Sequence, residues 1–170
     1  AASDSALYEE IGKEVNEDMA FTYFFPALFS GGIFRSFWPW EEEGLFRFRF
    51  LSSYMSSAIS YSRNAAVCGT LHETEFISNF ALDSGEPVFL KGYIFTDDKC
   101  RLPWKETLNY LQFGGERGYG WGRVKLVSLK EVPSGEEKNF FGKGIKIDLQ
   151  GERPLLTLPA EERILAHALA

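Results

Sequence analysis

Residues 113–124 read Phe-Gly-Gly-Glu-Arg-Gly-Tyr-Gly-Trp-Gly-Arg-Val, with five glycines inside nine positions. No other segment of the chain constrains it as strongly. Glycine tolerates positive φ and lets another backbone come close. A plain turn needs one or two such residues, not five. Successive exposed N–H groups form a concave anion site. Arg117 and Arg123 add planar forks that suit phosphate or a base face, and Tyr119 and Trp121 add flat rings. The segment therefore has the chemistry to lie against a nucleic-acid backbone.

The flanks narrow the choice. Upstream, Trp104, Leu108 and Leu111 recur at helical spacing behind Pro103, which predicts a helix over 103–112. Downstream, Val124, Leu126, Val127 and Leu129 predict a strand over 122–130. The order is helix, loop, strand. Dinucleotide-binding loops and P-loops run strand, loop, helix, and a P-loop ends in Lys followed by Ser or Thr. Order and chemistry exclude both.

Helix, then Gly-Gly-x-Arg-Gly-x-Gly-x-Gly-Arg-Val, then strand resembles the glycine-rich loop of the RAMP superfamily, the repeat-associated RNA-binding proteins of CRISPR systems. A second stretch adds to the likeness. Arg63 is followed by Leu71, Glu75 and Ile77 in a Leu-x-x-x-Glu-x-Ile run, then by a Gly85-Glu86-Pro87 turn and the apolar stretch from Val88 to Phe95. The backbone-forming RAMP proteins of type III effectors carry a similar series, and the resemblance spans about residues 60–130. It implies an α+β, ferredoxin-like (RRM-like) fold, an antiparallel sheet with helices on one face. The second half of that fold would be strand 70–78, strand 87–96, helix 103–112 and strand 122–130. The first strand and helix of such a domain are not visible in residues 1–60, and the chain opens Ala-Ala-Ser without Met, so a fragment of a longer protein, or one half of a split one, is the expectation. The domain expectation is a single RAMP-like domain over 1–170, with an atypical helix and aromatic strands in 1–60, the core half in 61–130 and an extension in 131–170.

The resemblance implies that Gly114, Gly115, Arg117, Gly118, Tyr119, Gly120, Trp121, Gly122 and Arg123 hold the backbone of a CRISPR RNA, with Arg63 as a further contact. It also implies other effector subunits as partners. Some RAMP proteins process repeat RNA without metal, using a histidine, and His72 is the weak candidate for that role here. Binding rather than catalysis is the expectation; a third reading makes the chain a protein-interaction scaffold in the same kind of complex. Asp83, Asp97 and Asp98 fall in predicted turns and His167 in a C-terminal helix. No HExxH, paired CxxC or Gly-x-Ser-x-Gly pattern occurs, so no metal and no cofactor is expected.

Net charge is −6, which speaks against indiscriminate nucleic-acid binding, but it is unevenly spread. Residues 1–50 carry nine acidic and four basic side chains, a net of −5, whereas residues 101–146 carry nine basic and five acidic, a net of +4. The basic part contains the glycine loop. Cys68 and Cys100 make neither a disulfide framework nor a zinc site, and a reduced cytoplasmic setting is expected. No apolar run reaches membrane-spanning length, and residues 1–20 lack the features of a signal peptide.

Elsewhere, Leu7, Ile11, Val15 and Met19 predict an amphipathic helix over 5–19, capped at Ser3 or Asp4. Residues 20–40, broken by Pro26, Gly31, Gly32 and Pro39, predict short strands. Alternation of Phe and Arg predicts a half-exposed strand from Leu45 to Leu51, with Arg47 and Arg49 on one side. The hydroxyl-rich residues 52–62 read as a loop or the rim of a site, 131–146 as a basic loop leading to a strand at 145–149, and Thr157 as the start of a final helix.

Overall fold

Aromatic-rich residues on either side of Gly31 and Gly32 supply two strands, and the two glycines bend them back on one another. The computed structural model describes residues 2–96, 100–132, 138–140, 143–148, 155–157 and 161. Along the chain come α1 (Ala2–Asp18), β1 (Met19–Phe21), β2 (Phe25–Ser30), β3 (Ile33–Ser36), α2 (Glu43–Phe50) and β4 (Leu51–Ser56). Then come β5 (Ile59–Ser60), β6 (Ala65–Ala66), β7 (His72–Ile77), β8 (Phe89–Lys91) and β9 (Ile94–Thr96). The one-turn helix α3 (Trp104–Thr107) follows, with 3-10 turns at Leu108–Tyr110 and Arg117–Tyr119, and last β10 (Lys138–Phe140), β11 (Lys143–Asp148) and β12 (Leu155–Thr157). The chain is α+β, and every strand pair among the described residues is antiparallel. These pairs form small sheets of two or three strands. Contacts gather into two units, Thr22–Tyr93 and a second made of Ala1–Phe21 with Ile94–Ile164.

Within Thr22–Tyr93 the sheet order is β3-β2-β8. Gly31 and Gly32, at φ 59 and 83, make the two-residue turn between Ser30 and its partner Ile33. Positive φ at both central residues is what a tight hairpin of this twist requires. Phe29 lies opposite Phe34 with ring centroids 4.8 Å apart, and Phe34 continues to Phe89 at 5.0 Å. A directly opposed aromatic pair such as Phe29–Phe34 stabilises a sheet by roughly 0.2–1 kcal/mol. Pro26 is tolerated in the central strand because pairing with β3 begins one residue later, at Ala27 with Ser36. Its carbonyl still accepts the Phe37 N–H at 2.9 Å.

The core of this unit is Leu28, Phe50 and Ala81, with Phe37, Phe46 and Val88 packed around them. It explains a correction. Residues 45–51 form helix α2, not the predicted strand. In a strand Phe46, Phe48 and Phe50 would share a face; in the helix Phe46 and Phe50 stack at i, i+4, 5.2 Å apart, and Phe50 meets Phe37 at 5.2 Å. Phe48 is left 63% exposed. Full burial of Phe50 is worth about 1.5–3 kcal/mol, and Glu43 in the first turn with Arg47 and Arg49 in the last suits the helix dipole. Arg47 and Arg49 thus diverge, to Glu75 at 2.7 Å and to Asp83 at 2.6 Å.

The predicted loop 52–62 is instead largely strand, β4 pairing with β7 over six residue pairs from Leu51–Ile77 to Ser56–His72. The predicted strand 70–78 is β7, in sheet with β4. The predicted strand 87–96 is interrupted. Thr22 pairs with Tyr93 through its N–H to the Tyr93 carbonyl at 3.0 Å and its Oγ1 accepting the Tyr93 N–H at 2.9 Å. Phe25 pairs with Lys91. Two residues, Tyr23 and Phe24, therefore oppose the single Gly92, a β-bulge. A Cβ at Gly92 would lie 2.8 Å from the Phe24 ring, so glycine is needed there.

In the other unit β1 pairs with β9, Met19 opposite Thr96, and Met19 and Leu108 are buried. The predicted N-terminal helix is present as α1, beginning at Ala2, ahead of the expected cap. Predicted helix 103–112 shortens to α3 and one 3-10 turn. Predicted strand 122–130 does not form: beyond a single bridge at Arg123 the segment has no ladder. Lys138–Phe140, expected in a loop, is a strand of the β10-β11-β12 meander, and Thr157 ends β12 rather than starting a helix. The rest of that predicted helix, with His167, lies outside the described residues apart from Glu161, as do Asp97 and Asp98.

Candidate nucleic-acid interface

The glycine segment is the tip of an antiparallel hairpin closed at its base. Gln112 bridges Arg123, the Phe113 N–H donates to the Gly122 carbonyl at 2.9 Å, and the Val124 N–H donates to the Leu111 carbonyl at 3.3 Å. Inside this frame the chain turns through a 3-10 segment, with Tyr119 N–H to the Glu116 carbonyl and Gly120 N–H to the Arg117 carbonyl, both 3.0 Å. Gly114, Gly120 and Gly122 have φ of 81, 87 and 74. Gly122 is doubly constrained, since a Cβ there would lie 1.9 Å from the Phe113 carbonyl oxygen. Glu116 is the one residue with a side chain in this loop at positive φ, 52, a conformation that costs an L-residue roughly 1–2 kcal/mol.

Three of the five glycines are thus explained by the turn itself. Gly115 and Gly118 are not: neither has positive φ, and a Cβ on either would meet nothing within 4 Å. They are bare backbone on an exposed surface. Residues 114–120 are all exposed, and the N–H groups from Gly114 to Gly118 make none of the hydrogen bonds that close the hairpin. Tyr119 is 85% exposed, whereas Trp121 is half-buried. Of the two predicted rings only Tyr119 offers an open face.

Arg117 and Arg123 are exposed and have no ion-pair partner among the described residues. The same holds for Arg101, Lys125 and Lys130, which entered the sequence reading only through net charge. Glu116 is the one acid within the loop. Glu131 bonds to Lys105 at 2.6 Å and ties the extended 124–132 segment to α3. That hydrogen bond and the Lys105 charge hold the Glu131 carboxyl below the usual glutamate range.

The remaining candidates lie elsewhere. Arg63 is exposed at the tip of the β5–β6 hairpin, in the Thr22–Tyr93 unit, beside Tyr61, a fully exposed ring that sequence reasoning passed over. His72 is exposed on β7, and its Nε2 lies 2.8 Å from the Ser56 hydroxyl. Thr74 and Phe76 are half-buried beside it, while Glu73 and Glu75 are exposed, the alternation expected of the strand. Asp83 is committed to Arg49. Cys68 and Cys100 are free thiols. Among the described residues no group of three or more His, Cys, Asp or Glu is placed to hold a metal, and no helix is long and apolar enough to cross a membrane. Compared with protein-family models, with curated proteins and with solved structures, the chain finds no match.

Proposed function

We propose that this chain binds RNA through the 113–124 hairpin, as an RNA-holding subunit of a CRISPR ribonucleoprotein of the RAMP kind. One observation carries the reading. The hairpin has more glycine than its backbone geometry uses, and the surplus lies beside two arginines with no ion-pair partner among the described residues and an open tyrosine ring. Bare backbone at Gly115 and Gly118 admits a sugar-phosphate chain closely, its amides and the guanidinium groups meet phosphate oxygens, and Tyr119 stacks on a base. The chain order β7, Gly85–Pro87 turn, β8, α3, glycine hairpin supports reading residues 60–130 as the second half of a ferredoxin-like RAMP domain. The departures are that β7 pairs with β4 and β8 with β2 in separate sheets, that residues 60–93 and 94–130 fall in different units, the bulge at Gly92 and the ladder-free 124–132 segment. Exposed Leu7, Tyr8 and Ile11 on α1 favour companion protein subunits.

The test is fluorescence anisotropy on a single-stranded RNA across a salt series. Binding falls with salt, and Arg117→Ala with Arg123→Ala lowers affinity by about tenfold or more. The double variant also flattens the log–log salt slope by about 1.4, since each single-strand phosphate contact contributes roughly 0.7. Both side chains are exposed, so thermal unfolding stays unchanged. Equal affinity and equal slope in the double variant would sink the proposal.

A further inference from the structure

The Thr22–Tyr93 unit brings two arginines, Arg35 and Arg49, to the wall of one cavity. A cavity of about 230 Å³ is lined by Leu28, Ser30, Arg35, Phe37, Arg49, Ser84 and Glu86. Three elements build it. Leu28 on β2 pairs with Arg35 on β3, and Ser30 lies two residues along the same strand face. α2 supplies Arg49. The turn over 81–86 supplies Ser84 and Glu86 and is fixed by Ala81 N–H to the Glu86 carbonyl at 2.8 Å and Gly85 N–H to the Ala81 carbonyl at 2.7 Å. Leu82 N–H donates to the Arg49 carbonyl at 2.8 Å, which ties this turn to α2.

Both arginines are held ready. Their guanidinium carbons lie 5.7 Å (Arg35) and 5.3 Å (Arg49) from the Phe37 ring centroid, within cation–π reach. Arg49 gives its Nε to Asp83 at 2.6 Å, a partly shielded ion pair that orients the fork and leaves its terminal amino groups uncommitted among the described contacts. Arg35 has no carboxylate partner among the described residues. Opposed to them is Glu86, whose Oε2 accepts the Ser84 hydroxyl at 3.1 Å. Two arginine forks and the Ser30 hydroxyl around a small apolar-floored cavity match a tetrahedral oxyanion better than any cation, while the Ser84 O–H is already given to Glu86. The volume is below the 300–1,000 Å³ or so of cavities that enclose drug-sized ligands, so it suits a phosphate with at most a sugar attached.

We infer that this cavity binds a phosphate group, as free phosphate or as the phosphomonoester of a small sugar, between Arg35 and Arg49. Calorimetric titration of the full chain with inorganic phosphate, ribose 5-phosphate and ribose tests it. Saturable binding of either phosphate is expected, with tighter binding of the ester pointing to a sugar-linked source and equal binding to free phosphate; ribose gives no heat. Arg35→Ala, at an exposed strand position, weakens binding about tenfold, and Arg35→Lys, which keeps charge but loses the fork, weakens it less. Glu86→Gln tightens it about threefold by removing a like charge. Repeated in an Arg117→Ala, Arg123→Ala background, which removes the hairpin's own phosphate contacts, the titration still shows Arg35-dependent binding; its disappearance in that background would overturn the inference. Absence of saturable binding, binding of ribose equal to that of its phosphate, or an Arg35→Ala titration matching the parent would overturn the inference.

Discussion

Two glycine-built hairpins differ in how much glycine they use. At residues 31–32 two glycines occupy two left-handed positions, and the Phe-rich strands on either side do the rest. At residues 113–122 three glycines occupy left-handed positions, and two more sit in ordinary conformations with open space around them. The first hairpin is explained by folding alone. The second is not, because Gly115 and Gly118 cost unfolded-state entropy that alanine would spare. On the function proposed above, that surplus is what lets an RNA backbone come close.

That contrast is broken most severely at Gly122. Gly122→Ala places a methyl group on the Phe113 carbonyl and opens the hairpin base, at about 3 kcal/mol; loss of hydrogen-exchange protection at the Phe113 amide would report it. Gly31→Ala has the unfavourable φ but free space, and costs about 1 kcal/mol by thermal unfolding. Comparable losses at the two sites would mean that close backbone approach is not what separates them. Next in size is the effect on RNA of the Arg117 and Arg123 replacements described above. Smaller still, Gly115→Ala with Gly118→Ala leaves stability equal or raised by up to about 1 kcal/mol. Yet it weakens RNA binding on the order of fivefold, near 1 kcal/mol. A loss of stability there would return all five glycines to a purely structural role.

The smallest effect belongs to the Lys105–Glu131 bridge. A depressed carboxyl contributes stability above its unfolded pKa and loses it as pH falls through the lower folded value. Both side chains are well exposed, so the contribution is slight and salt-sensitive. An NMR titration should find Glu131 protonating at lower pH in the parent than in Lys105→Met. Coincident curves would show that the bridge does not hold in solution.

Much of this was legible in the sequence, and the failures have particular causes. The Gly31-Gly32 turn, α1 and β7 follow from turn chemistry and periodicity. Residues 45–51 misled because Phe at every second position satisfies a strand and also places Phe46 and Phe50 one helical turn apart; burial against Leu28 and Phe37 decided for the helix. The break at Gly92 depends on the Phe24 ring, distant in sequence. The 122–130 segment has strand composition, but beyond Arg123 its described residues find no ladder partner. For the candidate site, composition located the hairpin and both arginines, but could not tell that Trp121 is half-buried while Tyr119 is open. Arg35 and Arg49 looked like separate surface charges until the fold brought them to one ring.

The pairing pattern also bears on synthesis. The described strand partners within Thr22–Tyr93 have all emerged once Lys91 and Tyr93 leave the ribosome, and its tightest hairpin closes across two residues. β1 emerges early but must wait for β9, because Met19 finds its partner only at Thr96. A nascent chain of this protein therefore carries an unpaired apolar strand for most of that interval. This is the kind of exposed edge that chaperones bind and that aggregation exploits.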